Sequence, residues 1–187
     1  MTTLIDTDII ASAVTLDVLK NGGSTRSLVH GVLTPTTGYA VSLPGHEHKL
    51  ARWQDASLGD VADQIAAWLK PRRDVLAQPG FYVGAWEEAG EVYLDVTQVV
   101  PERANAEQLG DVREQAAIYD LAREVSYYAV SVRVPASAER ITVWVPEDQR
   151  DALLATNATA RSPYYARLNA DHDRPLFEVV GETTIEF

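Results

Sequence analysis

Apolar residues recur at helical spacing in two stretches of the first seventy positions. The first stretch follows Asp6 or Thr7, either of which can cap a helix, and it stops at Gly22, where glycine can adopt a positive φ. The second begins at a capping pair, Ser57 and Asp60. Its apolar residues fall on one stripe, formed by Leu58, Val61, Ile65, Trp68 and Leu69. The pattern predicts two helices.

Strict alternation of apolar and polar residues marks the strands. Residues 39–43 alternate before Pro44-Gly45, and residues 81–86 and 91–96 form a pair that is joined by a loop ending in glycine. A helix is expected from residue 101 to about 115, followed by a strand at 117–121. The buried side of that helix is predicted to carry Ala106, Leu109, Val112 and Ala116. Residues 81–121 therefore form a ββαβ unit.

A similar order of elements follows at residues 127–180. Two alternating runs, YYAVSVRV and RITVWV, flank a turn at 135–138, and Pro146 with its following acids suits a helix start. A terminal hairpin is expected from residues 176–180 and 183–187. We predict an α+β fold of antiparallel sheets packed against helices. Residues 1–125 and 126–187 are two lobes in this interpretation, with packing as one domain the alternative.

Composition narrows the classes of function. The 187 residues, 46% of them apolar, suffice for a core, and the absence of cysteine excludes disulfides, thiolate metal sites and cysteine nucleophiles. A net charge of -11 repels phosphate backbones, so direct binding of nucleic acid is not expected. Apolar runs are too short for a membrane span, and acids stand where a signal peptide carries basic residues. A cytoplasmic location is expected.

The segment GYAVSLPGHEHKL places two histidines on either side of Glu47. In an extended chain His46 and His48 share a face, which makes them candidate metal ligands. The segment lacks the H-E-x-x-H spacing of helical zinc sites and offers no third ligand nearby. The competing interpretation is the solvated end of a strand after Pro44-Gly45. No cofactor is expected.

Other catalytic patterns are weak. Asp171-His172-Asp173 could form a general base or a solvated loop, and His30 is expected to be partly buried. The chain has no G-x-S-x-G elbow, no G-x-G-x-x-G motif and no Walker loop. Glycosidic chemistry would need a carboxylate pair, and solvated strand faces are the alternative for the candidates Glu91, Asp95 and Asp120.

Aromatic residues are concentrated in the predicted hairpin. Tyr82, Trp86 and Tyr93 would line one face beside Asp95. Tyrosine and tryptophan bury a large area at low entropic cost while keeping a polar tip, so with interspersed acids they suit a binding surface. The alternative is that a helix covers this face and the rings belong to the core.

Two segments carry a family resemblance. Residues 38–47 and 80–121 resemble short uncharacterised proteins of actinobacterial phages and mobile elements, which share a tryptophan-containing hairpin with Y-L-D-V, an alanine- and acid-rich helix and a Q-x-A-I-[FY]-D-L strand. The residues that carry the resemblance are Trp86, Tyr93, Leu94, Asp95, Val96, Gln115, Ala117, Ile118, Tyr119, Asp120 and Leu121. The resemblance implies a genomic setting and no particular reaction.

These observations lead to three hypotheses of function. The first is a non-enzymatic accessory protein that binds a host or defence protein through an acidic, aromatic surface formed by Trp86, Glu87, Glu88, Glu91, Tyr93 and Asp95. The second is a small metal- or ligand-binding enzyme that uses His46 and His48. The third is a virion or assembly component. A homodimer is left open in each case.

Overall fold

A computed structural model describes residues 3–50, 53, 55–133, 140–155 and 159–160. It confirms the predicted α+β class, with five α-helices and antiparallel strand pairs in the described part. In chain order the elements are α1 (Thr7–Asn21), β1 (Gly23–Arg26), β2 (Tyr39–Ser42), β3 (His48–Lys49), α2 (Leu58–Leu69), α3 (Arg73–Leu76), β4 (Phe81–Glu88), β5 (Glu91–Val100), α4 (Arg103–Val112), β6 (Ala117–Asp120), β7 (Val125–Arg133), β8 (Arg140–Pro146), α5 (Glu147–Ala155) and β9 (Thr159–Ala160). The predicted turn at 135–138 and the terminal hairpin lie outside the described residues.

The chain divides into two compact units. The first comprises residues 1–36 and 42–99, and the second comprises residues 37–41 and those from 100 onward. This division differs from the predicted boundary near residue 125. The ββαβ segment is shared between the units, because its hairpin belongs to the first while α4 and β6 belong to the second.

The first unit packs two helices on one face of a small sheet. Strand β4 pairs with β1 and with β5, and β3 pairs with β5. Helices α1 and α2 lie against each other and form a core with one face of this sheet. The fully buried residues of this core include Val14, Leu28, Val61, Ile65, Leu69, Val83, Val92, Leu94 and Val96. Burial of such side chains contributes about 1.5–3 kcal/mol each, which makes this layer the main source of stability in the unit.

The ends of both helices form as the sequence predicts. Asp6 caps α1 by accepting a 2.8 Å bond from the Asp8 amide, and Gly22 closes it at φ 73°. Ser57 and Asp60 form the reciprocal capping box of α2. Leu58 departs from the prediction, since it is 55% exposed at the start of α2. It lies in a shallow groove beside α1, because the first turn extends past the buried stripe.

Strand β5 is buried on both faces, since Tyr93, Asp95 and Thr97 on the face opposite the core valines and leucine are also withdrawn from water. Gly84 lies directly across from Asp95, and a Cβ atom at Gly84 would collide with the side chains of Asp95 and Thr97. Glycine inside a strand often marks such a close approach. Because Gly84 of β4 has no side chain, the side chains of Asp95 and Thr97 in β5 have room beside it.

Among the described residues, the second unit has five strands, with α4 packed against them. Strands β2, β6, β7 and β8 pair in that order, and β9 pairs with β7. Trp144 packs over Gly110, where a Cβ atom would have no room. Val112, predicted to be buried, is 77% exposed, because Ala106 and Gly110 define the inward face of α4.

Arg103 links three elements of the second unit. Its guanidinium lies 4.0 Å from the centre of the Tyr127 ring and donates a 3.0 Å hydrogen bond to the Trp144 carbonyl. It also forms an ion pair of 2.6 Å with Glu107, one turn along α4. A planar guanidinium can serve all three partners at once, which a lysine could not do.

No helix in the described part of the chain is long and apolar enough to cross a membrane.

Replacing Gly84 by alanine is expected to lower the free energy of unfolding by about 1–3 kcal/mol, the usual cost of overpacking a buried site. Chemical denaturation measures this change. Gly59→Ala is the matched control, because the nearest atom to its added Cβ is 3.7 Å away in an exposed turn of α2. There alanine should stabilise by up to about 1 kcal/mol through its helix propensity. Equal effects of the two substitutions would contradict the enclosed site.

Candidate functional site

Three aromatic residues of the hairpin, Tyr82, Trp86 and Tyr93, share one face of β4 and β5. Trp86 and Tyr93 are opposite each other in register, with ring centres 5.6 Å apart and planes inclined by 23°. Tyr93 is 3% exposed, whereas Trp86 and Tyr82 keep part of their surface in water. Burial raises the pKa of the Tyr93 phenol, and the charges of Glu91 and Glu88 raise it further. Trp86 is therefore the accessible ring of the pair.

Three carboxylates lie at the turn of the same hairpin, and we call Glu87, Glu88 and Glu91 the hairpin acidic group. The turn consists of Ala89 and Gly90, both at positive φ, as type I′ hairpins require. Glu87 is exposed and accepts a 2.9 Å bond from the Gly90 amide.

Glu88 and Glu91 lie directly opposite each other on β4 and β5. Both are partly exposed, and Lys49 of β3 forms a 3.0 Å ion pair with Glu91. Like charges opposite each other across two strands destabilise the pair, so the lysine relieves part of the repulsion. The turn retains an excess of negative charge.

Asp95 does not join the accessible surface that the sequence predicts, because it is only 2% exposed. Its carboxylate accepts hydrogen bonds from the hydroxyls of Ser42 and Thr97. Burial raises the pKa of Asp95; the two hydroxyls oppose that shift, and the charge of Glu47 adds to it. Alternation placed Asp95 on the face of Tyr93 correctly, but it could not show that this face is covered at Asp95.

Glu91 and Asp95, two of the candidate carboxylates, do not form a close pair. Glu91 and Asp95 lie on one strand four residues apart, which separates their Cα atoms by about 13 Å. Asp120 is 3% exposed in the second unit, where its Oδ1 accepts bonds from the amides of Ala122 and Arg123 at 3.0 and 3.1 Å. Asp120 therefore closes a turn.

The histidine segment surfaces after the Pro44-Gly45 turn, as the solvated-end interpretation expects. His48 is exposed and pairs with Leu94 through β3, while the His46 carbonyl accepts a 3.1 Å bond from the Trp68 indole. Among the residues that the structure describes, no three histidine, aspartate or glutamate side chains converge on a position suited to a metal ion. Within the described ranges, the segment thus offers two candidate ligands, where a protein metal site normally has three or more.

Arg72 sets the electrostatics of this segment. Its guanidinium lies 4.6 Å from the centre of the Trp68 ring and donates a 2.9 Å bond to the Trp68 carbonyl. Loss of hydration, and then the charge of Arg72, lower the pKa of both His46 and His48. A neutral imidazole is the form that binds metal, but a neighbouring cation repels the ion itself.

Several other sequence predictions can be placed. His30 is exposed, and the expected partial burial is wrong because the loop after Leu28 leaves the core. Asp171-His172-Asp173 lies outside the described residues. Three residues that shape these sites were not predicted to do so: Ser42 and Gly84 beside Asp95, and Arg72 beside the histidines. The isolated glycine within FYVGAW was a usable signal for the close approach at Asp95, whereas nothing in the sequence pointed to Ser42 or Arg72.

Asp95→Asn is expected to flatten the dependence of stability on pH. Because the pKa of Asp95 is raised in the folded state, its stabilising contribution is complete below about pH 4, near the unfolded value, and is lost as pH rises through the folded value. Between these two pKa values the free energy of unfolding of the wild type should therefore fall by up to about 1.4 kcal/mol per pH unit relative to that of the variant. Urea denaturation from pH 4 to 8 measures the difference, and Asp63→Asn on the exposed side of α2 is the control. Parallel curves for wild type and Asp95→Asn would contradict the prediction.

Comparison of the chain with protein-family models, with curated proteins and with solved structures finds no match.

Proposed function

We propose that the chain is a non-enzymatic accessory protein of a phage or mobile element that binds a basic host or defence protein in the cytoplasm. The observation that carries the proposal is the hairpin acidic group, placed within two strand positions of the partly exposed Trp86 ring. The genomic setting comes from the resemblance of residues 38–47 and 80–121, and the location is inferred from the sequence.

The negative charges at the hairpin turn favour a basic partner. Glu88 and Glu91 lie opposite each other across the hairpin, with the exposed Glu87 beside them, so the turn carries three carboxylates next to Lys49. A lysine or arginine from a partner would meet several carboxylates at once, so binding would gain more than one isolated surface ion pair. The net charge of -11 would also steer a basic partner towards the protein.

The stacked rings of Trp86 and Tyr93 favour a partner with an apolar patch. Tryptophan and tyrosine are the residues most enriched among those that dominate binding energy at interfaces. Tyr93 is buried and holds the Trp86 ring by stacking, which leaves the ring little rotational freedom to lose on binding. A restrained, partly exposed indole beside carboxylates suits a partner surface in which basic residues surround an apolar patch.

Neutralising the hairpin acidic group by Glu→Gln substitutions at all three positions is expected to weaken partner capture at least tenfold. The tagged protein is incubated with actinobacterial host lysate, and captured proteins are quantified by mass spectrometry at low and moderate salt. Capture by the wild type should decrease as salt rises, because screening weakens exposed ion pairs. A matched variant removes three exposed charges elsewhere, at Asp74, Glu114 and Glu124.

The control variant should retain capture of the same protein. Equal loss in both triple variants would mean that net charge alone attracts the partner, and unchanged capture by the hairpin variant would exclude the hairpin as the binding site. Either result contradicts the proposal. Trp86→Ala in the intact acidic background tests the ring separately and should also weaken capture.

A further inference from the structure

Helix α1 carries apolar residues on two opposite faces. Ile10, Val14 and Val18 are buried against the sheet. On the outer face Ile9 is 63% exposed, Leu16 47% and Leu19 51%. The spacings of seven and three residues place these three side chains on one stripe of the helix. Single exposed leucines are ordinary on protein surfaces, whereas several apolar side chains on one side of a helix are typical of a surface that binds another molecule.

The stripe borders a groove between α1 and α2. The groove has a volume of about 270 Å³ and is lined by Ser12, Thr15, Leu16, Leu58, Gly59 and Ala62. Leu16 and Leu58 are the large apolar members, and both are about half exposed. The small residues Gly59 and Ala62 leave space between them that a bulky side chain of another molecule can enter. Grooves between two packed helices are a recurring site for a third, amphipathic helix.

The charges next to the groove are mainly negative. Asp8 precedes Ser12 by one helical turn, and the Ser12 hydroxyl donates a 2.9 Å bond to its carbonyl. Asp63 lies one helical turn after Gly59 in α2, and both aspartates are exposed. Lys20 lies at the far end of α1. A second copy of the chain would place like charges against like, whereas a basic segment would find complementary charge along the groove.

We propose that the groove between α1 and α2 binds a basic amphipathic helix of a partner protein. Apolar side chains of that helix occupy the space between Leu16 and Leu58, and its lysine or arginine side chains pair with Asp8 and Asp63. This surface is separate from the hairpin acidic group and goes beyond the proposed function. Neither surface depends on the other being occupied.

The probe is a fluorescein-labelled peptide of about 18 residues, made of leucine and lysine with leucine at helical spacing. Fluorescence anisotropy measures its affinity for the wild type and for two double variants. Leu16→Gln with Leu58→Gln alters the groove, while Leu33→Gln with Val112→Gln alters two apolar residues that are 85% and 77% exposed outside it. We expect the groove variant to lose at least about tenfold in affinity and the control variant to bind like the wild type.

A second measurement does not depend on disturbing the groove. Because the chain has no cysteine, Ser12→Cys accepts a single environment-sensitive dye, and its emission should shift when the peptide binds. Ala104→Cys on the exposed side of α4 is the control and should not respond. The variant with a neutralised hairpin acidic group should bind the peptide normally, so failure of the hairpin proposal and failure of this one are distinguishable.

Three results would overturn the inference. One is equal binding by both double variants, and another is equal binding of a peptide of the same composition whose order removes the apolar stripe. Either would show attraction by charge alone. The third is a concentration-dependent dimer, seen by sedimentation velocity without peptide and abolished in the groove variant, which would assign the groove to a second copy of the chain.

Discussion

Burial of both faces of β5 is the constraint on which the first unit depends. Alternate side chains of a strand point to opposite faces. On one face Val92, Leu94 and Val96 enter the layer beneath α1 and α2, and on the other Tyr93, Asp95 and Thr97 are also withdrawn from water. A carboxylate in such a strand must find partners inside the protein. Asp95 finds them in two hydroxyls, and the neighbouring strand makes room with Gly84.

This constraint changes how the acidity of the chain should be interpreted. The formal charge of -11 counts Asp95 and Asp120 as surface anions, yet both are buried and hydrogen-bonded. Burial favours the neutral form of Asp95. The negative field outside the protein therefore comes from exposed residues such as those of the hairpin turn and the first turns of the helices.

The two proposed surfaces of the first unit share a physical design. In each, an apolar group is held by neighbouring packing, and carboxylates lie beside it. Trp86 is stacked on Tyr93, and Leu16 lies beside the packed pair of α1 and α2. Groups that are ordered before binding lose less entropy when a partner arrives.

Local sequence determined the longer elements, whereas β1, β3 and the short helix α3 were not predicted. Asp6, Gly22 and the Ser57-Asp60 pair act through atoms within a few residues of one another, so these helix ends were predictable. The hairpin was predictable as a pair of alternating strands, but its strands extend to Glu88 and Val100, and Ala89-Gly90 forms a two-residue turn in place of the expected loop at 87–90. Tertiary structure decided which side chains reach water. Asp95 is buried because Ser42, 53 residues away in the chain, meets it, and Leu58 is exposed because the inner face of α2 is already filled without it. Alternation and helical spacing specify the face on which a residue lies, but what covers that face depends on contacts between distant segments, which no local pattern records.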